Sequence, residues 1–189
     1  MGAKLKVVGI GGAIRNGSTS EMALQWMVHA LRARGVEASV FTGRDLDFPL
    51  FDPNEEARST RLDRYLAAVR ECDAMVVASP VYHGGPSGLL KNALDHLQPL
   101  ASDPRCYLSG RAVACVAAGG GLAGAVSTLS ALRDVVHALR GWPVPMQVPI
   151  NSSAKPFDAE GQCADPKLTK ALRAAVEDVV TFASAMKPR

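Results

Sequence analysis

The sequence predicts a three-layer α/β fold in which helices cover both faces of a five-stranded parallel sheet. Strand and helix patterns alternate along the chain, and the first, third and fourth predicted strands are continuously apolar. Parallel strands that are buried on both faces give such apolar runs, because helices cover them. With 189 residues and no internal repeat, the chain is predicted to form one domain over residues 1–189.

Five strands and five helices are predicted in the order βαβαβαβαβα. Short apolar or alternating runs indicate strands at 4–10, 37–42, 74–79, 111–118 and 144–150. Apolar residues spaced three and four apart indicate helices at 18–34, 58–71, 88–98, 127–140 and from Pro166 onward. Gly35 and Gly141 mark helix ends, Asp165 caps the last helix, and residues 43–57 form a polar loop.

Composition excludes several classes of partner. The net charge is only +3, the basic residues are scattered and aromatic residues make up 5%, so we expect no nucleic-acid surface. Apolar runs stay well below the roughly 20 residues that cross a bilayer, so we expect no membrane span. The four cysteines form neither a C-x-x-C pair nor a zinc-ligand spacing, which predicts reduced thiols, a cytoplasmic location and no metal site.

The stretch GGAIRNGSTS, residues 11–20, follows the first predicted strand and precedes the first helix. It nearly matches the P-loop pattern, but Ser18 stands at the lysine position, and it lacks the third glycine of a dinucleotide fingerprint. A terminal monophosphate fits better. Arg15 supplies a cation, and Ser18, Thr19 and Ser20 supply hydroxyls beside the free N–H groups of a helix start.

A plainer interpretation of the same residues stays open. Ser18 to Glu21 also matches the capping box S-x-x-E. In that case Ser18 only caps the helix and Arg15 remains in solvent.

The segment SPVYHGGPSGLLKNALD, residues 79–95, follows the third predicted strand. Pro80 and Pro86 stiffen this loop, and Gly84 with Gly85 allows a flat ligand to approach the backbone. His83 at the loop tip is a candidate catalytic residue that contacts a ligand or second substrate. The alternative is that His83 is an ordinary surface histidine.

Together the two loops resemble the NAD(P)H-dependent FMN reductase family. The first family motif is matched by Gly12, Ala13, Arg15, Ser18 and Ser20. The second is matched by Pro80, Tyr82, His83, Gly88, Leu90, Lys91, Asn92, Leu94 and Asp95. The glycine-rich residues 119–124 resemble the family's flavin-contacting loop, and residues 140–150 resemble its fifth strand. In two departures from the pattern, Ala13 replaces a hydroxyl and Glu21 lies in the first helical turn.

The resemblance implies a flavodoxin-like fold with strand order 2-1-3-4-5 and FMN as cofactor. Arg15, Ser18, Thr19 and Ser20 would hold the FMN phosphate. The isoalloxazine would lie along Pro80, Val81, Tyr82, His83 and Gly84, and its pyrimidine side would face Gly119, Gly120, Gly121 and Gly124. NADPH or NADH would be the co-substrate, and the flavin itself would carry the hydride, so no side-chain acid or base is required.

The implied function is an NAD(P)H-dependent FMN oxidoreductase that passes electrons to a small acceptor. Reduced FMN could also go to a flavin-dependent monooxygenase, and the family usually forms dimers or tetramers. Two alternatives remain, an FMN-dependent biosynthetic dehydrogenase of a small metabolite and a non-catalytic electron carrier of the flavodoxin type. Flavodoxins are usually strongly acidic, so the net charge of +3 speaks against the carrier. The acceptor and the preference between NADH and NADPH stay open.

Overall fold

A mainly parallel sheet forms the centre of the structure, a computed structural model that describes residues 4–55 and 59–187. The strands are β1 (Lys6–Gly11), β2 (Glu37–Thr42), β3 (Ala74–Tyr82), the short β4 (Gly85–Pro86), β5 (Ala112–Gly119), β6 (Trp142–Pro143) and β7 (Val148–Asn151). The sheet order is β2-β1-β3-β5-β6, and β7 also pairs with β5. Because β6 and β7 together replace the fifth predicted strand, the observed order differs slightly from the predicted 2-1-3-4-5, while the predicted parallel sheet is confirmed.

Helices cover both faces of this sheet. They are α1 (Thr19–Arg32), α2 (Thr60–Glu71), α3 (Gly88–Asp95), α4 (Leu122–Ala138) and α5 (Pro166–Met186). One core lies between the sheet and α1 with α5, and the other between the sheet and α2, α3 and α4. Neighbouring strand residues alternate between the two cores, with Val7 in the first and Val8 in the second. The predicted flavodoxin-like three-layer architecture is thereby confirmed.

The fifth predicted strand is interrupted in its middle. After Val144 donates to Val113 O at 3.0 Å, Pro145 offers no N–H to the sheet, and the N–H of Met146 donates to Asp178 on α5 at 3.2 Å. The chain rejoins β5 at Val148. A single continuous strand over 144–150 was therefore wrong, and the proline explains the break.

The other element boundaries differ less. Helix α4 begins at Leu122 instead of Ser127, because Gly121 adopts an extended conformation and serves as its N-cap. The predicted start of the second helix at Arg58 lies outside the described residues; the described part begins at Thr60, where Ser59 accepts the N–H of Leu62 at 3.1 Å.

The amino ends of the strands are tied together by a fully buried arginine. Arg111, predicted as the first residue of a strand, instead precedes β5, and its guanidinium donates only to carbonyl oxygens. These belong to Arg70 at 2.7 Å, Cys72 at 3.1 Å, Tyr107 at 2.9 Å and Ser109 at 3.4 Å. This end of the sheet is thus occupied by structural contacts, and the opposite end is free for a ligand.

Candidate active site

A cleft of 420 Å³ lies at the carboxyl ends of β1, β3 and β5, where parallel α/β sheets bind their ligands. Three segments that are distant in sequence form most of its walls, and Ser152 completes them. The lining residues are Ala13, Arg15, Ser18, Thr19, Ser20, Pro80, Val81, Tyr82, Ala118, Gly119, Gly120 and Ser152. The structure therefore brings together nine of the thirteen predicted cofactor-binding residues, whereas His83, Gly84, Gly121 and Gly124 are not among the lining residues.

The loop between β1 and α1 presents a cation and a helix N-terminus to this cleft. Arg15 is exposed, and no hydrogen bond or ion pair within the described chain engages its guanidinium. Ser18 caps α1 by accepting the N–H of Glu21 at 3.3 Å, and Ser20 is buried with its hydroxyl 3.3 Å from that of Ser18. The first N–H groups of a helix have no partner inside the helix, so the loop is suited to an anion.

Glu21 is turned away from the cleft. Its carboxylate accepts the N–H of Gly17 at 2.7 Å, and Glu21 is absent from the cleft lining. In the usual capping box this side chain would reach back to the N-cap residue itself, which here is Ser18. The capping interaction predicted for Ser18 is present, and Ser18 lines the cleft as well, so the two interpretations of this serine are compatible.

The segment after β3 is a tight hairpin rather than an open loop. β3 continues through Pro80 and Val81 to Tyr82, and Tyr82 pairs with Gly85 across a two-residue turn. His83 (φ 51°) and Gly84 (φ 80°) both adopt left-handed backbone conformations in this turn, as hairpins of this length require. His83 is exposed and does not line the cleft, and Gly84 O accepts the hydroxyl of Ser127 on α4 at 3.0 Å.

Two buried serines fix this hairpin against the first loop. Ser87 caps α3 by accepting the N–H of Leu90 at 3.2 Å, and its hydroxyl donates to Gly12 O at 2.7 Å. Ser79 accepts the N–H of Ser87 at 3.0 Å and donates to Pro80 O at 2.7 Å. An added Cβ at Gly12 would stand 2.3 Å from the Ser87 hydroxyl, so only glycine allows this approach.

The glycine-rich segment after β5 has divided roles. Gly119 and Gly120 line the cleft with bare backbone. Gly121 is the N-cap of α4, and Gly124 lies in the first turn of that helix. An added Cβ at Gly119 or Gly124 would stand 2.8 Å or 3.1 Å from the side chain of Val81, so these two glycines let the hairpin pack closely.

Two cleft residues were missed by the sequence reasoning, namely Ala118 and Ser152, and Ala13 was named only as a motif position. Ser152 follows β7, and the neighbouring Ser153 hydroxyl donates to Gly120 O at 3.1 Å. The rule that ligands lie at the carboxyl ends of the strands would have pointed to this serine pair, since it directly follows the fifth strand. Ala13 and Ala118 are buried and carry no chemical signal in the sequence.

The donor set of the cleft fits a flavin mononucleotide. At one end lie a guanidinium without a partner, three hydroxyls and a helix N-terminus, which suit a phosphate. Elsewhere in the lining, Pro80, Val81 and Tyr82 adjoin the bare backbone of Gly119 and Gly120, which allows a flat ring to approach closely. None of the described lining residues carries a carboxylate, an imidazole or a thiol.

The sequence pattern of the NADPH-dependent FMN reductase family matches residues 5–155. The chain belongs to this family. Membership makes it an oxidoreductase that uses FMN together with NAD(P)H. The match covers all three segments that form the cleft.

Individual relatives agree with this assignment. An FMN-dependent NADPH-azoreductase of Staphylococcus aureus is 29% identical over 180 residues, which cover 92% of each chain. Among solved structures, the flavoenzyme NAD(P)H:(acceptor) oxidoreductase FerB of Paracoccus denitrificans shares the fold with a TM-score of 0.75, at 19% identity over 96% of this chain and 98% of FerB. The NADH:FMN oxidoreductase EmoB, in its apo form, gives a TM-score of 0.72 at 22% identity, over 98% of this chain and 92% of that one.

Three FMN reductase motif residues on α3 have structural roles in this chain. Lys91 forms an ion pair with Asp95 one turn along the helix, at 2.7 Å. Asn92 accepts the N–H of Phe51 and donates to Pro49 O, both at 2.9 Å. Asn92 therefore anchors the loop that carries the exposed Leu50.

Two other kinds of site are absent from residues 4–55 and 59–187. No helix there is both long and apolar enough to cross a bilayer. No group of three or more His, Cys, Asp or Glu side chains there is placed to hold a metal ion.

Proposed function

We propose that this chain binds FMN in the cleft at the carboxyl ends of β1, β3 and β5 and uses it to transfer hydride from NAD(P)H to a small acceptor. The observation that carries the proposal is the presence, in one cleft, of Arg15 at a helix N-terminus, with no hydrogen bond or ion pair to the described residues, together with the bare backbone of Gly119 and Gly120. The first element matches a phosphate and the second matches a fused ring system.

The phosphate end is organised by the β1–α1 loop. The guanidinium of Arg15 and the hydroxyls of Ser18, Thr19 and Ser20 would hold the phosphate, together with the first N–H groups of α1. Glu21 binds Gly17 on the outer side of the loop, which keeps its negative charge out of the cleft lining. This arrangement supports binding of a dianionic monophosphate despite the acidic residue in the first turn.

The ring end is organised by the hairpin and by β5. Pro80, Val81 and Tyr82 would line one side of the ring, and Gly119 with Gly120 would approach it closely. When bound, FMN supplies the hydride acceptor and donor. The protein binds and orients the two substrates, and the lack of acidic, imidazole or thiol groups among the described lining residues agrees with a reaction that needs no side-chain acid or base. The role predicted for His83 therefore stays a prediction about the second substrate.

We infer a self-association surface around the cleft. Tyr82 lines the cleft, Ile14 lies between the lining residues Ala13 and Arg15, and Leu122 follows the lining residue Gly120 by two positions; each of these large apolar side chains is 53–66% exposed. Exposed apolar side chains grouped around one site support an interface. A homodimer or homotetramer remains the proposal, as do a cytoplasmic location, a single domain and the delivery of reduced FMN to a monooxygenase.

The proposal is tested by an anaerobic titration of the FMN-loaded protein with NADPH, followed by visible absorbance. We expect the absorption of the bound oxidised flavin to bleach in proportion to NADPH, and to recover when a small quinone or azo acceptor is added. Free FMN with NADPH but no protein is the control, because the uncatalysed reaction is slow. Failure of the protein to bind FMN, or binding without reduction by NADPH or NADH, would contradict the proposal.

A further inference from the structure

A second cavity, of 510 Å³, lies along the exposed side of α1 and is not used by the proposed reaction. One wall is α1 from Glu21 to Arg32, and the other is the turn formed by residues 159–162. We call this cavity the α1 groove. Its volume is larger than that of the cleft and lies within the 300–1,000 Å³ typical of small-molecule sites.

The outer wall of the α1 groove is an ordered turn. Phe157 and Cys163, which lie on either side of this turn in the sequence, pair as an antiparallel bridge. The carboxylate of Asp158 accepts the N–H groups of Glu160 at 3.1 Å and Gln162 at 2.7 Å, and Gly161 takes a left-handed conformation with φ 77°. The turn is thus closed by its own hydrogen bonds, which gives the groove a defined shape.

The lining of the groove suits a flat, polar-edged ring. Trp26 is half-buried, packs against the core on one side and contributes its remaining surface to the groove beside Met22. The amides of Gln25 and Gln162 provide donors and acceptors. The ionisable groups are balanced, since Glu21 and Glu160 lie in the groove together with Arg32 and His29.

The α1 groove begins where the phosphate site ends. Gly17 lines the groove, and the next residue, Ser18, lines the cleft. Residues 14–17 are exposed, and nothing lies within 4 Å of the position that a Cβ on Gly17 would take. A group attached to a phosphate in the β1–α1 loop therefore has an open route over Gly17 into the groove.

We propose that the α1 groove binds the adenosine half of FAD, so that this chain takes FAD as well as FMN as its flavin. The proposal rests on the proposed phosphate site, because FAD is FMN extended at its phosphate by an adenylate. The adenine would stack on Trp26, and Gln25, Gln162 and Glu160 would face its amino edge. The second phosphate brings negative charge towards Glu21, and the exposed guanidinium of Arg15 offsets it.

The test compares the affinities of FMN and FAD by calorimetric titration of the flavin-free protein. We expect the wild type to bind both flavins. Trp26→Leu keeps an apolar side chain against the core but removes the stacking ring, so we expect the Kd of FAD to rise about tenfold and the Kd of FMN to stay within about twofold. Trp142→Leu is the matched control, because Trp142 is exposed, packs on Phe182 and lies outside the groove.

A second variant provides an independent test in case Trp26→Leu does not fold. Gln25 and Gln162 are both exposed, so Gln25→Ala combined with Gln162→Ala leaves the core intact. We expect this variant to weaken FAD severalfold and to leave FMN unchanged. Binding of FMN but not FAD by the wild type, or equal weakening of both flavins in Trp26→Leu, would overturn the inference. Failure of the wild type to bind FMN would instead overturn the proposed function.

A kinetic arm separates FAD from the other adenosine-bearing ligand, NAD(P)H. With saturating FMN, we expect the KM for NADPH to be the same in the wild type and in Trp26→Leu. A tenfold rise in that KM with no change in the Kd of FAD would assign the groove to the adenosine of NADPH and would overturn the FAD proposal.

Discussion

At the scale of single residues, the buried hydroxyl of Ser87 holds the two cleft-forming loops together. Ser87→Ala would leave Gly12 O and the N–H of Leu90 without their partner in a buried setting. We expect the free energy of unfolding to fall by about 1–3 kcal/mol and the FMN affinity to fall with it, measured by urea denaturation and flavin titration. Ser130→Ala removes an exposed hydroxyl on α4 and should change stability by less than about 0.5 kcal/mol. Equal effects of the two variants would contradict the role given to Ser87.

The charge of Glu21 gives a second prediction at this scale. Glu21→Gln keeps an oxygen that can accept the N–H of Gly17 but removes a negative charge beside the phosphate loop. We expect FMN to bind about twofold to fivefold more tightly at low salt, with a smaller gain at high salt because the charge is partly exposed. Flavin titrations at two ionic strengths measure this.

The matched control for that variant is Asp63→Asn. Asp63 is an acidic residue in the first turn of α2, away from the cleft. Both substitutions should weaken a helix terminus slightly, but only Glu21→Gln should change FMN affinity. If Glu21→Gln left FMN affinity unchanged at low salt, the electrostatic account of the loop would fail.

Most of the residues that line the cleft were expected from the sequence because they belong to short motifs, and their roles in binding stay predictions. Arg15 and Ser18 could be found since a cation and hydroxyls at a helix start have a known use. His83 and Gly124 were expected at the cofactor but do not line the cleft, because His83 is exposed in the two-residue turn and α4 begins early enough to include Gly124. Ala118 lines the cleft with plain backbone and a small side chain, which no motif in the sequence indicates.

At the scale of elements, the β3–β4 hairpin depends on two left-handed residues. His83 has φ 51°, a conformation that asparagine tolerates and valine does not. We expect His83→Val to lower the free energy of unfolding by about 1–2 kcal/mol and His83→Asn to leave it nearly unchanged, as measured by chemical denaturation. If the two variants were equally stable, the turn would not have the geometry described.

The element boundaries that failed at sequence level share a physical reason. The fifth predicted strand looked continuous because its apolar residues alternate, yet Pro145 cannot donate to the sheet, and the N–H of Met146 donates to Asp178. The start of α4 was predicted too late in the sequence, because three successive glycines are typical of a turn. In the structure only Gly119 and Gly120 lie outside the helix and its cap, and Gly121 is the cap.

At the scale of the whole molecule, two buried thiols make the free energy of unfolding depend on pH in the alkaline range. Burial raises the pKa of Cys72 to about 11 and that of Cys115 to about 12. In the unfolded chain these thiols lose their protons near their ordinary pKa of about 8.5. Above that pH the unfolded state binds fewer protons than the folded state, so the free energy of unfolding decreases as the pH rises towards 11.

Urea denaturation at pH 7, 9 and 10 measures this decrease. We expect it to reach at most about 1.4 kcal/mol per pH unit for each thiol, and to be smaller in Cys115→Ala. Cys163→Ala, at a half-exposed cysteine, is the control and should leave the slope unchanged. A slope that is the same in all three proteins would show that the buried thiols do not contribute.

The global fold was predictable because few folds are compatible with apolar central strands that alternate with helices along the chain. A parallel sheet covered by helices on both faces is the main one. The two cores on either side of the sheet follow directly from that pattern. The α1 groove was not predictable, because it joins residues of α1 to a turn more than a hundred residues away, and no motif in the sequence relates the two segments.

The measurement that tests the central claim most directly is the affinity of FMN relative to riboflavin, in the wild type and in Arg15→Ala. Riboflavin lacks the phosphate, so the ratio isolates the contribution of the β1–α1 loop. We predict that the wild type binds FMN on the order of 100-fold or more tightly than riboflavin. Arg15→Ala should lower this preference at least about tenfold. Arg44→Ala changes an exposed arginine outside the cleft and should leave the preference for FMN unchanged. Equal affinities for FMN and riboflavin in the wild type, or equal weakening of both flavins by Arg15→Ala, would contradict the phosphate site.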